Sequence, residues 1–294
     1  MGIKKFNFNQ NYFNKIDSPE KAYMLGLIYS DGCIYPDKNS SSKYIIFGQS
    51  EEYKDIVELF NNTLNSNYPI HSTVRGSKLF YYVRLTSEIC YNDLINLGVV
   101  PNKSLIIKFP NFIQDDFIPS FILGCFDGDG CVWNGKRKKM KVKDASKPSG
   151  YRERIVHNVK FTYTGNYEFV NALQDYLVKT LGFKKTKLNF SKAKNSNNTT
   201  SKNVCTMEYS GRKQLKKFYD LIYDKSKIFG KVKKKKFEEI FCASDEKSSV
   251  ETVLTEETAE MPIVNQASNI EEGSSTIPEM GVESSDSKCT APNE

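Results

Sequence analysis

A thirteen-residue pattern occurs twice in this chain. Phe121-Ile-Leu-Gly-Cys-Phe-Asp-Gly-Asp-Gly-Cys-Val-Trp133 matches Tyr23-Met-Leu-Gly-Leu-Ile-Tyr-Ser-Asp-Gly-Cys-Ile-Tyr35 at Leu25/Leu123, Gly26/Gly124, Asp31/Asp129, Gly32/Gly130 and Cys33/Cys131, an offset of 98 residues. Self-similarity at a fixed spacing implies two like halves. Each copy is an apolar run closed by Asp-Gly, and each follows a helix-starting group, Ser18-Pro19 before the first and Pro119-Ser120 before the second. Each therefore reads as a helix with a carboxylate at its C-terminus, and Gly32 and Gly130 are expected to end it in a left-handed turn. An acid at that end is disfavoured, because the last carbonyls already make it negative. A visiting cation explains it better than stability does.

The segments after the two copies repeat one order. After the first, Ile34–Tyr35 and Lys43–Gln49 read as strands and Glu51–Leu64 as an amphipathic helix. Strands at Ile70–Arg75 and Lys78–Thr86 turn about Gly76-Ser77, and a helix over Ile89–Leu97 stops at Gly98. After the second copy, Cys131–Trp133 starts a strand, residues 136–150 form a projecting Lys-rich turn, and Arg152–Thr164 is a strand. A helix over Asn166–Leu181 stops at Gly182, strands at Phe183–Phe190 and Asn203–Tyr209 flank a polar loop at 192–202, and helices at Gln214–Tyr223 and Lys233–Phe241 close the body. The expected division is a lead-in at 1–19, halves at 20–117 and 118–243, and a Ser-, Thr- and Glu-rich tail at 244–294 that reads as disordered.

Charge separates the tail from the body. Residues 244–294 hold 12 acidic and 2 basic side chains, leaving 23 acidic and 40 basic in residues 1–243. A body at +17, with aromatic residues interleaved, suits a polyanion such as nucleic acid. No apolar stretch is long enough to cross a bilayer and the N-terminus lacks the apolar run of a signal peptide, so the expectation is an intracellular protein with no membrane partner. Seven cysteines without a C-x-x-C pair argue against a disulfide scaffold or a Cys-rich zinc site, and His71 and His157 alone offer little for histidine-based metal chemistry.

With this flanking order, Met24-Leu-Gly-Leu-Ile-Tyr-Ser-Asp-Gly32 and Ile122-Leu-Gly-Cys-Phe-Asp-Gly-Asp-Gly130 resemble the LAGLIDADG homing endonucleases of the two-motif, single-chain type, over residues ~20 to ~240. The second copy is the closer match, since the first has Tyr29 where the motif has its earlier acid. The resemblance implies an α+β monomer with pseudo-two-fold symmetry, made of two αββαββα halves whose antiparallel sheets form a DNA-binding saddle. It implies cleavage of both strands of a long double-stranded DNA target with Mg²⁺, or another divalent cation such as Mn²⁺. The motif helices would pack through Gly26 and Gly124 and bring Asp31 and Asp129 together as the metal-binding, catalytic acids. Asp127, with no acidic counterpart in the first copy, is expected at the interface or behind the site.

The same resemblance implies a lysine near each acid. Lys103, in Pro-Asn-Lys-Ser, matches the first; Lys227, Lys231 and Lys233 follow the equivalent helix in the second half, and Lys231 is preferred. Gln49 and Thr164, at the ends of equivalent strands, are candidates for positioning water. DNA contacts are expected from the solvent faces of the sheets, at Lys78, Tyr82, Arg84, Arg154, Asn158 and Lys160. Met1 and the ending Pro292-Asn-Glu294 lack the residues of protein splicing, so a free-standing enzyme is expected. The alternative is a non-cleaving nucleic-acid binder of the same fold, an intron RNA maturase or a DNA-binding regulator. Two converging acids favour cleavage, because a pure binder has no use for them.

Overall fold

Helix α1 (Pro19–Ser30) begins as the sequence asks: Ser18 is extended, its hydroxyl accepts the Lys21 N–H at 3.2 Å, and Pro19 occupies the first turn. In this computed structural model residues 5–190 and 203–242 are described, with backbone alone at 136–140 and 153–157. The expected acidic tail, the polar loop at 192–202 and the side chain of Arg154 lie outside the described residues. The second motif helix, α4 (Ile118–Asp129), has Pro119 in its first turn, but its cap residue, Phe117, makes no side-chain bond.

Both helix exits depart from expectation. Gly32 opens a strand directly and Gly130 has φ −81°, so neither is left-handed. What these positions require is room, because the chain folds straight back over the last helical turn. A Cβ at Gly32 would lie 2.6 Å from the Ile28 Cα, and one at Gly130 would strike the Phe126 ring. Glycines with positive φ do stop the other helices at Gly98 and Gly182, as expected.

The first half continues through β1 (Gly32–Pro36), β2 (Lys43–Ser50), α2 (Lys54–Thr63), β3 (Ile70–Arg75), β4 (Lys78–Thr86) and α3 (Glu88–Asn96). The second follows with β5 (Gly130–Lys143), β6 (Tyr151–Asn166), α5 (Tyr167–Leu181), β7 (Asn189–Phe190), β8 (Val204–Ser210), α6 (Arg212–Tyr223) and α7 (residues 231–242). Each half contributes a four-stranded antiparallel sheet, ordered β1-β2-β4-β3 and β5-β6-β8-β7. The architecture is α+β, with the αββαββα order duplicated and α7 added.

Two strand expectations change. The Lys-rich segment is mostly ladder, since β5 and β6 stay paired out to Lys143 and Tyr151. Residues 182–188 pair with no strand, and β7 is two residues long. There Phe183 and Leu188 bury themselves in the core, so apolar character that suggested a strand serves packing instead.

The period of two in the central strands faces one side of each sheet to the helices. Ile45 and Phe47 of β2, Val83 and Leu85 of β4, and Val159, Phe161 and Tyr163 of β6 are buried, while their neighbours point outward. Residues 22–29 of α1 and 120–127 of α4 are all buried, the pattern of helices enclosed on every side. They pack on each other. A Cβ at Gly26 would collide with the Phe121 carbonyl oxygen and lie 2.8 Å from the Cys125 nitrogen; one at Gly124 would collide with the Tyr23 carbonyl oxygen.

Because these neighbours are backbone atoms that cannot rotate away, Gly124→Ala is expected to destabilise the protein by about 3 kcal/mol. That corresponds to a fall in Tm of roughly 6–12 °C by calorimetry. A change under about 2 °C would mean that the two helices part without cost.

Candidate active site and nucleic-acid face

The close approach of α1 and α4 fixes where their C-termini emerge. A Cβ at Gly128 would lie 2.5 Å from Asp31 Oδ2, so the last turn of α4 passes directly against the first carboxylate. Asp31 caps α1 and Asp129 ends α4, and the two acids share one site. The Gln49 side-chain amide donates to Asp31 Oδ2 at 2.5 Å. Among the described residues no side chain donates a hydrogen bond to Asp129, which as a residue is exposed although its neighbours desolvate the carboxyl.

A buried lysine closes each helix end. Lys103 Nζ donates to the carbonyls of Ser30 (3.1 Å) and Gly32 (2.6 Å). Lys233 Nζ donates to those of Phe126 (2.8 Å), Asp127 (2.7 Å) and Gly128 (2.8 Å). A cation on the last carbonyls offsets the negative helix end and brings positive charge to both acids. The lysine of the second half is thus Lys233, and Lys231 is displaced from that place: it is exposed, and its backbone N–H donates to Asp55 Oδ2 at 3.3 Å. The residues themselves carry the signal, because Lys233 stands in the buried stripe with Phe237 and Ile240 while Lys231 lies off it.

The helix interface is chemically lopsided. Tyr23 and Phe121 are equivalent by the 98-residue offset, as are Tyr29 and Asp127. On one side the Tyr23 hydroxyl donates to Asp127 Oδ2 at 2.8 Å; on the other, Tyr29 and Phe121 meet edge to face at 5.0 Å, and the Tyr29 hydroxyl donates to the Leu97 carbonyl at 2.5 Å. Asp127 Oδ2 also accepts the Gly230 N–H at 2.7 Å, immediately before α7. Asp127 therefore seats the helix that carries Lys233.

Crowding raises the proton affinity of the acids. Burial pushes Asp31 up, against the Lys233 and Lys103 ammonium groups and the Gln49 hydrogen bond. Asp129 is pushed up to about 7, first by burial and then by the Asp31 carboxylate, with both lysines pulling back. Two such carboxylates form a donor set that a divalent cation relieves. Among the described residues no group of three or more His, Cys, Asp or Glu side chains could hold an ion. A cation here therefore calls for further oxygens of the kind phosphates offer.

Thr164 does not mirror Gln49. Gly32 pairs with Phe47 and Gly130 with Tyr163, so the counterpart of Gln49 is Gly165. Thr164 lies one residue off, on the outer face, with its hydroxyl 2.8 Å from that of Thr206. A one-residue shift exchanges faces in a strand.

The outer faces carry the expected polar and aromatic side chains. On β4, Lys78 and Arg84 are exposed; Tyr82 stacks on His71 at 5.4 Å, and the Arg84 guanidinium lies 5.4 Å from the Tyr44 ring centroid. On β6, Asn158 is exposed, but Lys160 is paired with Glu208 at 2.7 Å rather than free for phosphate. Nothing in the sequence marks Glu208 as the partner of Lys160, because an isolated glutamate in a strand carries no motif.

No family model matches the chain. The DNA-directed RNA polymerase subunit Rpo1C of Methanocaldococcus jannaschii is 29% identical over 146 residues, 48% of this chain and 17% of that protein's length. Similar solved structures include the LAGLIDADG meganuclease I-AabMI bound to uncleaved DNA, at 16% identity, covering 79% of this chain and 92% of that one with a TM-score of 0.48. I-CpaMI bound to uncleaved DNA is 14% identical, covering 82% and 95% with a TM-score of 0.48. The I-LtrWI LAGLIDADG homing endonuclease bound to target DNA is 14% identical, covering 82% and 92% with a TM-score of 0.46. Among the described residues no helix is long and apolar enough to cross a membrane.

Two measurements check the site. Lys233→Met leaves three carbonyls without their donor and is expected to cost about 3 kcal/mol in urea denaturation, whereas exposed Lys231→Ala should stay within about 0.5 kcal/mol. Equal effects would refute the assignment. The second concerns pH. A carboxyl whose pKa is about 7 in the folded protein, above its usual value of 3.8, stabilises the fold when protonated, and that contribution is lost as pH rises from about 4 through 7. In chelator, the stability gain from Asp129→Asn should therefore grow between pH 4 and pH 8, by about 1 kcal/mol once solvent screening is allowed for. A gain that is flat with pH would contradict the shift.

Proposed function

We propose that this chain is a site-specific, divalent-metal-dependent DNA endonuclease of the LAGLIDADG type. In this reading it acts as a monomer through halves at 20–117 and 118–243 on a long double-stranded target. The observation that carries the reading is the convergence of Asp31 and Asp129 at the ends of two helices packed glycine to glycine, each end backed by a buried lysine. Converging acids are costly for a structural protein and useful to a phosphodiesterase.

Bound Mg²⁺ or Mn²⁺ would supply Lewis-acid charge to the scissile phosphate and lower the pKa of attacking water. Asp31 and Asp129 are the residues that would hold it. Gln49 fixes the orientation of the Asp31 carboxylate through its 2.5 Å hydrogen bond. Lys103 and Lys233 keep positive charge beside the acids, favouring the extra negative charge of a pentacoordinate phosphate. The outward cations and aromatic rings of both sheets would hold the duplex by phosphate and base-edge contacts.

In the full chain, Asp31→Asn and Asp129→Asn are each expected to reduce cleavage of a selected target by about a hundredfold or more in Mg²⁺. Binding of the same duplex in Ca²⁺, read by gel shift, should not weaken. Undiminished cutting by both variants would refute the acid assignment. Specific binding by a wild type that never cuts would favour the non-cleaving binder.

A further inference from the structure

The two sheets share strand order, and the first pairs of β1–β2 and β5–β6 match in register, so outward positions next to the motif helices have counterparts in the other half. Since Gly32 pairs with Phe47 and Gly130 with Tyr163, one residue back on the second strand of each sheet makes Ile46 the counterpart of Thr162. Their partners on the next strand are Arg84 and Glu208. At one equivalent, outward position the first half therefore carries a guanidinium and the second a carboxylate. Arg84 is exposed, with its guanidinium over Tyr44. Glu208 is held by Lys160 Nζ on Oε2 at 2.7 Å, while among the described residues Oε1 has only a long contact, 3.5 Å, from the Ser210 hydroxyl.

On a face that meets phosphates an unpaired acid repels its ligand. Lys160 cancels that charge and orients the carboxylate, leaving Oε1 with acceptor capacity. A carboxylate so placed accepts from the cytosine N4 amine, and a guanidinium donates to guanine O6 and N7. We propose that Glu208 is a specificity-determining residue that reads a cytosine, at the place where the other half-site presents a guanine to Arg84. The inference rests on the DNA-binding reading above. In a palindrome, symmetry-related positions carry the same base on equivalent strands. Guanine at one and cytosine at its counterpart breaks the palindrome there.

The test selects bound duplexes from a randomised library with the full chain in Ca²⁺, for wild type, Glu208→Gln and Lys160→Met. Wild type is expected to enrich cytosine at one position and guanine at its symmetry mate. Glu208→Gln should lose about tenfold of the cytosine preference at that position alone, with an unchanged Tm. Lys160→Met should weaken the same preference without moving it to another position. If Glu208 serves only to neutralise Lys160, the variants change affinity for all duplexes alike and leave the base profile intact, which overturns the inference while the DNA reading stands. A wild type that enriches no sequence overturns both.

Discussion

The glycine contact between α1 and α4 is the constraint on which the rest of the structure depends. With backbone against backbone at Gly26 and Gly124, the helices have one depth of approach and little freedom to slide. That fixes the two C-termini side by side, and the strands leave from those termini. Gly32 and Gly130 extend the same logic, since each lets the chain fold back over its helix where a Cβ would not fit. Two acids, two sheets and the helix pair are thus placed by four positions that lack a side chain.

Holding carboxylates at helix C-termini sets two like charges against each other and against the helix carbonyls. Lys103 and Lys233 answer both problems with one ammonium each, taking up the carbonyls by hydrogen bonds and the acids by longer-range attraction. The compensation is incomplete, because Asp129 still sits at about 7. Two carboxylates that burial and, at Asp129, the neighbouring acid keep reluctant to ionise are the donor set that the proposed cation would relieve.

The duplication holds for backbone more strictly than for side chains. Sheet order coincides, as does register next to the motif helices, yet one side of the helix interface is a Tyr23–Asp127 hydrogen bond and the other a Tyr29–Phe121 aromatic pair. Gln49 clasps Asp31 while Gly165 holds the equivalent strand position in the other sheet, and Arg84 faces outward where Glu208 does in the other half. Packing constrains the backbone of both halves equally; the side chains at the edges of the core meet different neighbours and differ accordingly.

The repeated motif made the helix pair, the two acids and the order of elements legible from sequence, because apolar period, glycine and helix-start residues act locally. Lys103 was reachable through the family resemblance, which implies a lysine near each acid. Lys233 was not chosen over Lys231, since the longer hairpin and loop of the second half remove any fixed spacing, although the buried stripe of α7 marks it. Thr164 failed as the match for Gln49 because a strand's register is decided by its neighbours across the sheet, and one residue changes the face. The reason for glycine at 32 and 130 was likewise hidden: the sequence by itself determined that a glycine stands there, and only the tertiary structure decided that it is for the return of the chain over the helix and not for a left-handed turn. Local propensity is written in neighbouring residues, whereas close approach depends on atoms that come from elsewhere in the chain.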